Sequence, residues 1–336
     1  MSSATLAHRL TTVLRPILGS DVAVTDLSVV TGGASRDTWA FDAVIGEHRR
    51  PLILRTGPAN APASDLSFQQ HASMELEAAV QHRAALAGTP VPTIITADDS
   101  LAALGKPYLI CEAIAGETIV RRIRRQLDKA DEGAYDRLLR QCAEALAAIH
   151  RADTTGIALQ QSDPLIELRA RLDGVGETTA AFEWSMRWLA ANRPPPSPPV
   201  LVHGDFRMGN LIIDGGALSA VLDWELVHVG EAYEDVAWFC IRAWRFGAPE
   251  HLGAGGLGEI ETFLSAYEAS SGTKLDRASF RWWLVLATLR WGAICRYQAE
   301  RHLSGQTRSV ELAAIGRRVC ETEWDLLTLL DEDGAR

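Results

Sequence analysis

Residues 203–223 read HGDFRMGNLIIDGGALSAVLD. Leu211-Ile212-Ile213 and Ala220-Val221-Leu222 are short apolar runs around the turn Asp214-Gly215-Gly216, the pattern of a β-hairpin. Asn210 precedes the first strand and Asp223 follows the second, so the hairpin brings them together at its open end. An amide oxygen beside a carboxylate offers hard oxygen ligands of the kind Mg²⁺ takes. Asp205 lies five residues before Asn210, on the same loop. A carboxylate next to such a pair can orient or deprotonate an attacking hydroxyl.

Upstream, Asn192–Pro199 carries five prolines and reads as a stiff extended connector leading into the buried strand Val200-Leu201-Val202. Before it, Tyr135, Leu138, Leu139, Cys142, Leu146 and Ile149 recur at helical spacing within Gly133–Asp153, predicting a core helix. After the quoted stretch the chain returns to helix from Phe239, with a tryptophan- and leucine-rich segment at Phe280–Ile294. The N-terminal third is different. Val22–Val30 and Thr38–Val44 predict a hairpin whose tip is Thr31-Gly32-Gly33-Ala34-Ser35. Pro51–Arg55, Thr93–Ala97 and Tyr108–Cys111 add three strands, and Glu75–Leu86 an alanine-rich helix. The fold class is α+β, with a five-stranded lobe followed by a mostly helical one.

The 336 residues suffice for about two domains at ~150 residues each. A net charge of −10 argues against a nucleic-acid binder, which needs a basic face. The five cysteines, Cys111, Cys142, Cys240, Cys295 and Cys320, have no CxxC spacing, so neither a disulfide scaffold nor a zinc site is expected, and they read as buried small apolar groups. No leader or membrane-spanning pattern is visible, and a cytoplasmic protein with no membrane partner is expected. Lysine is scarce: Lys106, Lys129 and Lys274 are the whole complement. Gly105-Lys106 is followed by Pro107, which excludes the P-loop pattern, and no GxGxxG follows a strand.

HxDxxxxN followed by a hairpin and Asp resembles the catalytic core of the protein-kinase-like fold. HGDFRMGNLI, VLDWELVHVG and EDVAWFCIRAW are similar to aminoglycoside phosphotransferase/choline-kinase-like enzymes, and most to the subgroup related to the kinase-like domain fused to some acyl-CoA dehydrogenases. The resemblance implies a bilobal fold, with residues 1–113 as the nucleotide-binding lobe and 114–336 as a helical lobe carrying the catalytic loop and acceptor site. It implies ATP and Mg²⁺, with Asp205 orienting the substrate hydroxyl and Asn210 and Asp223 holding the metal. His203 takes a scaffold role under the loop, and Asp235 a structural one. Glu225 is an acid placed to support the site or approach a second metal.

In the first lobe, Gly33 and Ser35 match the phosphate-covering loop. Cys111 and Ala113 match the hinge whose carbonyl and N–H bond adenine. The strand lysine of kinases is replaced by Arg55, whose guanidinium forks across phosphate oxygens with a geometry unlike a lysine point charge. Its acidic partner is expected to be Glu77, with Glu75 as the alternative.

Trp238, Trp244, Trp282, Trp283 and Trp291 read as helix-packing core. Residues 281–318 carry seven arginines against two acids, and 121–129 four arginines and a lysine against one acid. Such surroundings favour an anionic acceptor over a polycation, although most of these arginines are expected on solvated helix faces. The implied activity is transfer of the γ-phosphoryl group of ATP to the hydroxyl of a small anionic metabolite such as a hydroxyacyl-CoA. The alternatives are an aminoglycoside-type phosphotransferase and a non-catalytic nucleotide-binding regulator. Oligomeric state is not legible.

Overall fold

The computed structural model describes residues 2–30, 36–57, 71–176 and 178–331. Gly33 and Ser35 therefore lie outside the described residues. The chain opens with helix α1 (Ser3–Leu18), capped by the Ser2 hydroxyl. Strands β1 (Ala23–Val30), β2 (Asp37–Ile45) and β3 (His48–Thr56) follow, then α2 (Met74–Leu86), β4 (Ile94–Asp98) and β5 (Tyr108–Glu112). These strands form one antiparallel sheet in the order β1-β2-β3-β5-β4. All five strands expected from sequence are present, some a residue or more longer. Leu6, Leu10 and Leu14 of α1, spaced four apart, pack against Phe41, Leu52, Leu54 and Ile110 on one sheet face. That spacing is a helix signal which a test for a leader segment passes over.

The second lobe is built from α3 (Val120–Leu127), α4 (Ala134–His150), α5 (Pro164–Val175) and α6 (Ala180–Ala191). Next come β6 (Pro199–Val202), β7 (Leu211–Asp214), β8 (Ala217–Val221), β9 (His228–Glu231) and α7 (Ala232–Cys240). The chain finishes with α8 (Ile260–Ser271), α9 (Arg277–Leu303), α10 (Val310–Gly316) and α11 (Val319–Asp331). Caps set several boundaries: Asp163 accepts from Leu165 and Ile166 ahead of α5, and Asp276 from Ser279 at the start of α9. A continuous core runs through α4, α7, α8 and α9, joined by the inward residues of β6–β8. Among the described residues no helix is long and apolar enough to cross a membrane.

The expected hairpin is β7–β8, pairing Leu211 with Val221, and its turn residues Gly215 and Gly216 have φ of 55° and 84°, as a tight primed turn requires. The strand β9, which pairs with β6, was not expected: His228–Glu231 has no alternation to reveal it. The passage between lobes is tied to the hairpin, because Glu117 and Ile213 exchange backbone hydrogen bonds of 2.8 and 3.0 Å. Gly116 makes this possible. A Cβ there would stand 2.8 Å from the Ile213 carbonyl oxygen, too close for any larger residue.

Candidate active site

Asp205, Asn210 and Asp223 meet at the open end of the β7–β8 hairpin. The Asn210 amide donates to the Asp205 carboxylate (2.7 Å) and to its carbonyl (2.9 Å). The Leu222 N–H donates to the Asn210 carbonyl (2.8 Å), which places Asp223 beside it. Asp223 has a φ of 67°, a left-handed conformation that an aspartate tolerates at a cost, and such strain concentrates at functional sites.

His203 is fully buried and joins the two loops. Its Nδ1 accepts from the Asp205 N–H (3.2 Å), so Nε2 carries the proton and donates to the Leu222 carbonyl (3.0 Å). Beneath it, Asp235 accepts from the backbone N–H groups of His203 (2.7 Å) and Gly204 (2.9 Å). Burial works against the Asp235 charge, yet hydrogen bonding to His150 and those amides holds its pKa below the usual carboxylate value. Gly204 has a φ of 85°, and a Cβ there would lie 2.6 Å from the Leu226 carbonyl oxygen. The loop geometry thus depends on glycine.

Two further side chains hold Asp205. Arg207 Nε donates to both carboxylate oxygens (3.1 Å each), its guanidinium lying 4.9 Å from the Trp244 ring centre. Trp238 Nε1 donates to Oδ1 (2.8 Å). Trp238 is core, as expected, and also a wall of the site. Trp282, Trp283 and Trp244 are likewise buried.

Across the cleft, Arg55 on β3 bonds Glu77 (3.2 Å) and Asp223 Oδ1 (2.6 Å). The acidic partner is Glu77, fully buried on α2; Glu75 lies on the exposed side of that helix. Arg36 had no sequence signal. It stands at the entrance of β2, its side chain only 6% exposed, and pairs with Glu77 and with Glu225 (3.2 Å). Glu225 also bonds His71 (3.1 Å), and its carbonyl accepts from the Ala72 N–H (2.7 Å), so the start of α2 is fastened to the loop after Asp223. Burial raises the Glu77 pKa to about 7, while Arg55 and Arg36 pull the other way.

The hinge differs from expectation. The Ala113 N–H, expected to donate to adenine, donates in this structure to the Pro51 carbonyl (3.0 Å), because the chain just after β5 still runs alongside β3. Cys111 is buried in β5 between Ile53 and Ile94, and burial pushes its thiol up to about 12. Cys142, Cys240 and Cys295 are buried too, whereas Cys320 is exposed, on a turn of α11 that faces away from the core.

The donor set fits a magnesium ion. Mg²⁺ binds through one or two protein oxygens plus water and phosphate, and Asn210 and Asp223 offer that number; no cluster of three or more acidic, histidine or cysteine ligands occurs among the described residues. Among those residues Asp223 Oδ2 accepts no hydrogen bond.

A cavity of about 550 Å³ opens between the start of α2, α5, the β8–β9 segment, α7 and α9. Trp238 and Arg290 connect it to Asp205: the Arg290 guanidinium lies 5.1 Å from the Trp238 ring centre and bonds the Gly204 carbonyl (3.3 Å). Of the seven arginines in residues 281–318 only Arg290 lines this cavity, and none of the basic residues in 121–129 does. The positive wall is completed by Arg171 and His228, which those basic runs do not contain.

The model of the phosphotransferase enzyme family matches residues 26–283. Mouse acyl-CoA dehydrogenase family member 10 is 26% identical over 302 residues, covering 83% of this chain and 27% of that protein, so the chain spans about a quarter of its length. A putative aminoglycoside phosphotransferase from Ralstonia eutropha superposes with a TM-score of 0.71 at 21% identity, covering 95% of this chain and 97% of that one. A thermostable mutant of aminoglycoside phosphotransferase APH(4)-Ia, in a ternary complex with AMP-PNP and hygromycin B, gives a TM-score of 0.60 at 17% identity, covering 96% of this chain and 98% of that one. The protein-kinase-like bilobal fold expected from sequence is the fold observed.

Proposed function

The chain belongs to the phosphotransferase enzyme family, and from that premise we propose that it transfers the γ-phosphoryl group of ATP to a hydroxyl of a small anionic metabolite. The observation that carries this reading is the convergence of Asp205, Asn210 and Asp223 with Arg55 on one cleft. Residues 1–113 would bind nucleotide and 114–336 would carry the catalytic loop, with the start of α2 contributing to the acceptor cavity.

Asp205 is held by Asn210, Arg207 and Trp238 in one orientation, so it can accept the hydroxyl proton as that oxygen bonds to phosphorus and ADP leaves. Asn210 and Asp223 would hold Mg²⁺, which when bound neutralises charge on the transferring phosphoryl group. Arg55, aligned by Glu77, presents its guanidinium to the nucleotide phosphates. Because relatives are named acyl-CoA dehydrogenases, a hydroxyacyl-CoA belongs among the candidate acceptors. A polycationic aminoglycoside suits the cavity poorly, since Arg171, Arg290 and His228 line it.

The test is ADP release with Mg-ATP over a panel of hydroxy acids, hydroxyacyl-CoAs, sugars, choline and aminoglycosides. An anionic compound is expected to respond, and a response to aminoglycosides alone overturns the acceptor assignment. Asp205→Ala should lower kcat by ~10²–10⁴-fold while Mg-ATP binding persists. Binding of Mg-ATP with no acceptor-dependent turnover would leave a nucleotide-binding regulator.

A further inference from the structure

The cavity beside Asp205 has a hydrocarbon side and a charged side. Leu76, Leu168, Trp283 and Leu286 provide the first. On the second, Glu234 is shared: one oxygen accepts from Arg290 (2.9 Å) and the other from His228 (3.2 Å). Burial opposes a charged His228, but Glu234 pulls its pKa up to about 9, so the ring is a cation at neutral pH. Arg171 bonds Glu167 (3.0 Å). Its pKa lies below the usual guanidinium value, first because burial removes water and also because Arg290 repels it. Among the described lining residues, Arg171, Arg290 and His228 therefore face two carboxylates, Glu167 and Glu234, while His71 is paired with Glu225. Counted over the described residues, this half-buried wall carries one positive charge in excess, which one anion would relieve. On the hydrocarbon side of the same cavity the indole N–H of Trp283, a side chain 3% exposed, meets no acceptor among the described residues. Such a donor costs about 1–3 kcal/mol until an oxygen reaches it.

We infer that this wall seats one anionic group of the acceptor, a carboxylate or a phosphate, between Arg290 and Arg171, within a few bonds of the hydroxyl presented to Asp205. The spacing follows from contacts already given: Arg290 lies on the Gly204 carbonyl and on the Trp238 ring, whose N–H bonds Asp205. The Trp238 indole is in contact with both Arg290 and Asp205, so an anion on Arg290 lies beside the same ring that holds Asp205. The acceptor is thus a short hydroxy acid or hydroxy phosphate with an apolar end, and a thioester whose charges lie only on a distant nucleotide leaves the seat unfilled. That the hydroxyl is phosphorylated rests on the kinase reading; the seat itself does not.

The experiment is calorimetry on the full chain without nucleotide, using 3-hydroxybutyrate, its neutral methyl ester, glycerol 3-phosphate and 3-hydroxybutyryl-CoA. At least one of the two short anions should bind ~10-fold or more tighter than the neutral ester, and whichever does tells carboxylate from phosphate. Arg290→Gln should weaken that binding ~10-fold or more. Arg171→Gln, on a more exposed side chain of α5, should do the same and serves if the first variant fails to fold. Neither short anion binding tighter than the ester, no short-anion binding up to ~10 mM, tighter binding of the CoA thioester, or unchanged affinity in a folded variant overturns the seat. Anion binding that obeys these rules with no acceptor-dependent ADP release leaves the seat standing and removes the kinase reading instead.

Discussion

Two groups of arginine and carboxylate adjoin at His71, which lines the cavity and bonds Glu225, and they differ in how their charges are paired. Beside β3 and α2, Arg36 and Arg55 face three carboxylates, Glu77, Glu225 and Asp223, with His71 at the margin. In the cavity, three cations face two carboxylates. The first group is closely paired, with Glu77 shared by two guanidiniums and His71 on Glu225, beside the residues that would hold a divalent cation; among the described residues the second has one cation more than it has carboxylates, where an acceptor would sit. The same side chains therefore position in one place and recognise in the other, and the stoichiometry of the pairing decides which.

The largest effect should come from the first group. Glu77→Ala removes the carboxylate shared by two buried guanidiniums and should cost about 3–5 kcal/mol, read by urea denaturation. A cost under ~1 kcal/mol would mean that water reaches Arg36 and Arg55, and the contrast with the open cavity would collapse. Arg36→Met keeps much of the volume, leaves Arg55 on Glu77, and should cost about 1–3 kcal/mol while raising KM for Mg-ATP more than it lowers kcat. An unchanged KM would reduce Arg36 to a structural pair.

Trp238→Phe tests the link between cavity and catalytic loop. It keeps a ring beneath Arg290 but removes the hydrogen bond to Asp205, worth about 1 kcal/mol, so kcat should fall roughly fivefold with KM for Mg-ATP unaltered. The smallest effect is a pH profile. The folded-state pKa of His228 is raised to about 9 from an ordinary 6.5, so its contribution to stability is complete below about pH 6.5 and is lost as pH rises through 9. Affinity for a permanently charged anion should decline across the same upper limb, as one of the three cavity cations disappears. His228→Gln should flatten that limb in a titration followed by calorimetry. A profile unchanged by the substitution would assign the limb to another group.

The catalytic hairpin was legible because its elements are local: period-two strands, a Gly-Gly turn, and Asn210 and Asp223 at the ends of a reach that the hairpin closes. Arg55 and Glu77 were legible because one strand and one helix offer few choices, although only the fold separated Glu77 from Glu75. Arg36 was not, since nothing near it in the chain marks a buried guanidinium; its partners come from α2 and from the loop after Asp223. The basic runs were poor guides. Arg281 donates to the Leu329 carbonyl (2.5 Å) and Arg318 lies over the Trp291 ring, away from the cavity. A helix turns successive residues to different sides, so a tally along α9 cannot tell which arginine meets the cavity. The Ala113 N–H shows a related limit: it donates to the Pro51 carbonyl, and whether a backbone N–H is spent depends on the neighbouring strand.

By itself, then, the sequence determined the fold class and the meeting of Asp205, Asn210 and Asp223, because each depends on spacing within one turn, strand or hairpin. Tertiary structure alone decided the charge of the cavity beside Asp205. Arg171, His228, Glu234 and Arg290 come from α5, β9, α7 and α9. The sign of the field they make is a property of distances that no stretch of the chain contains.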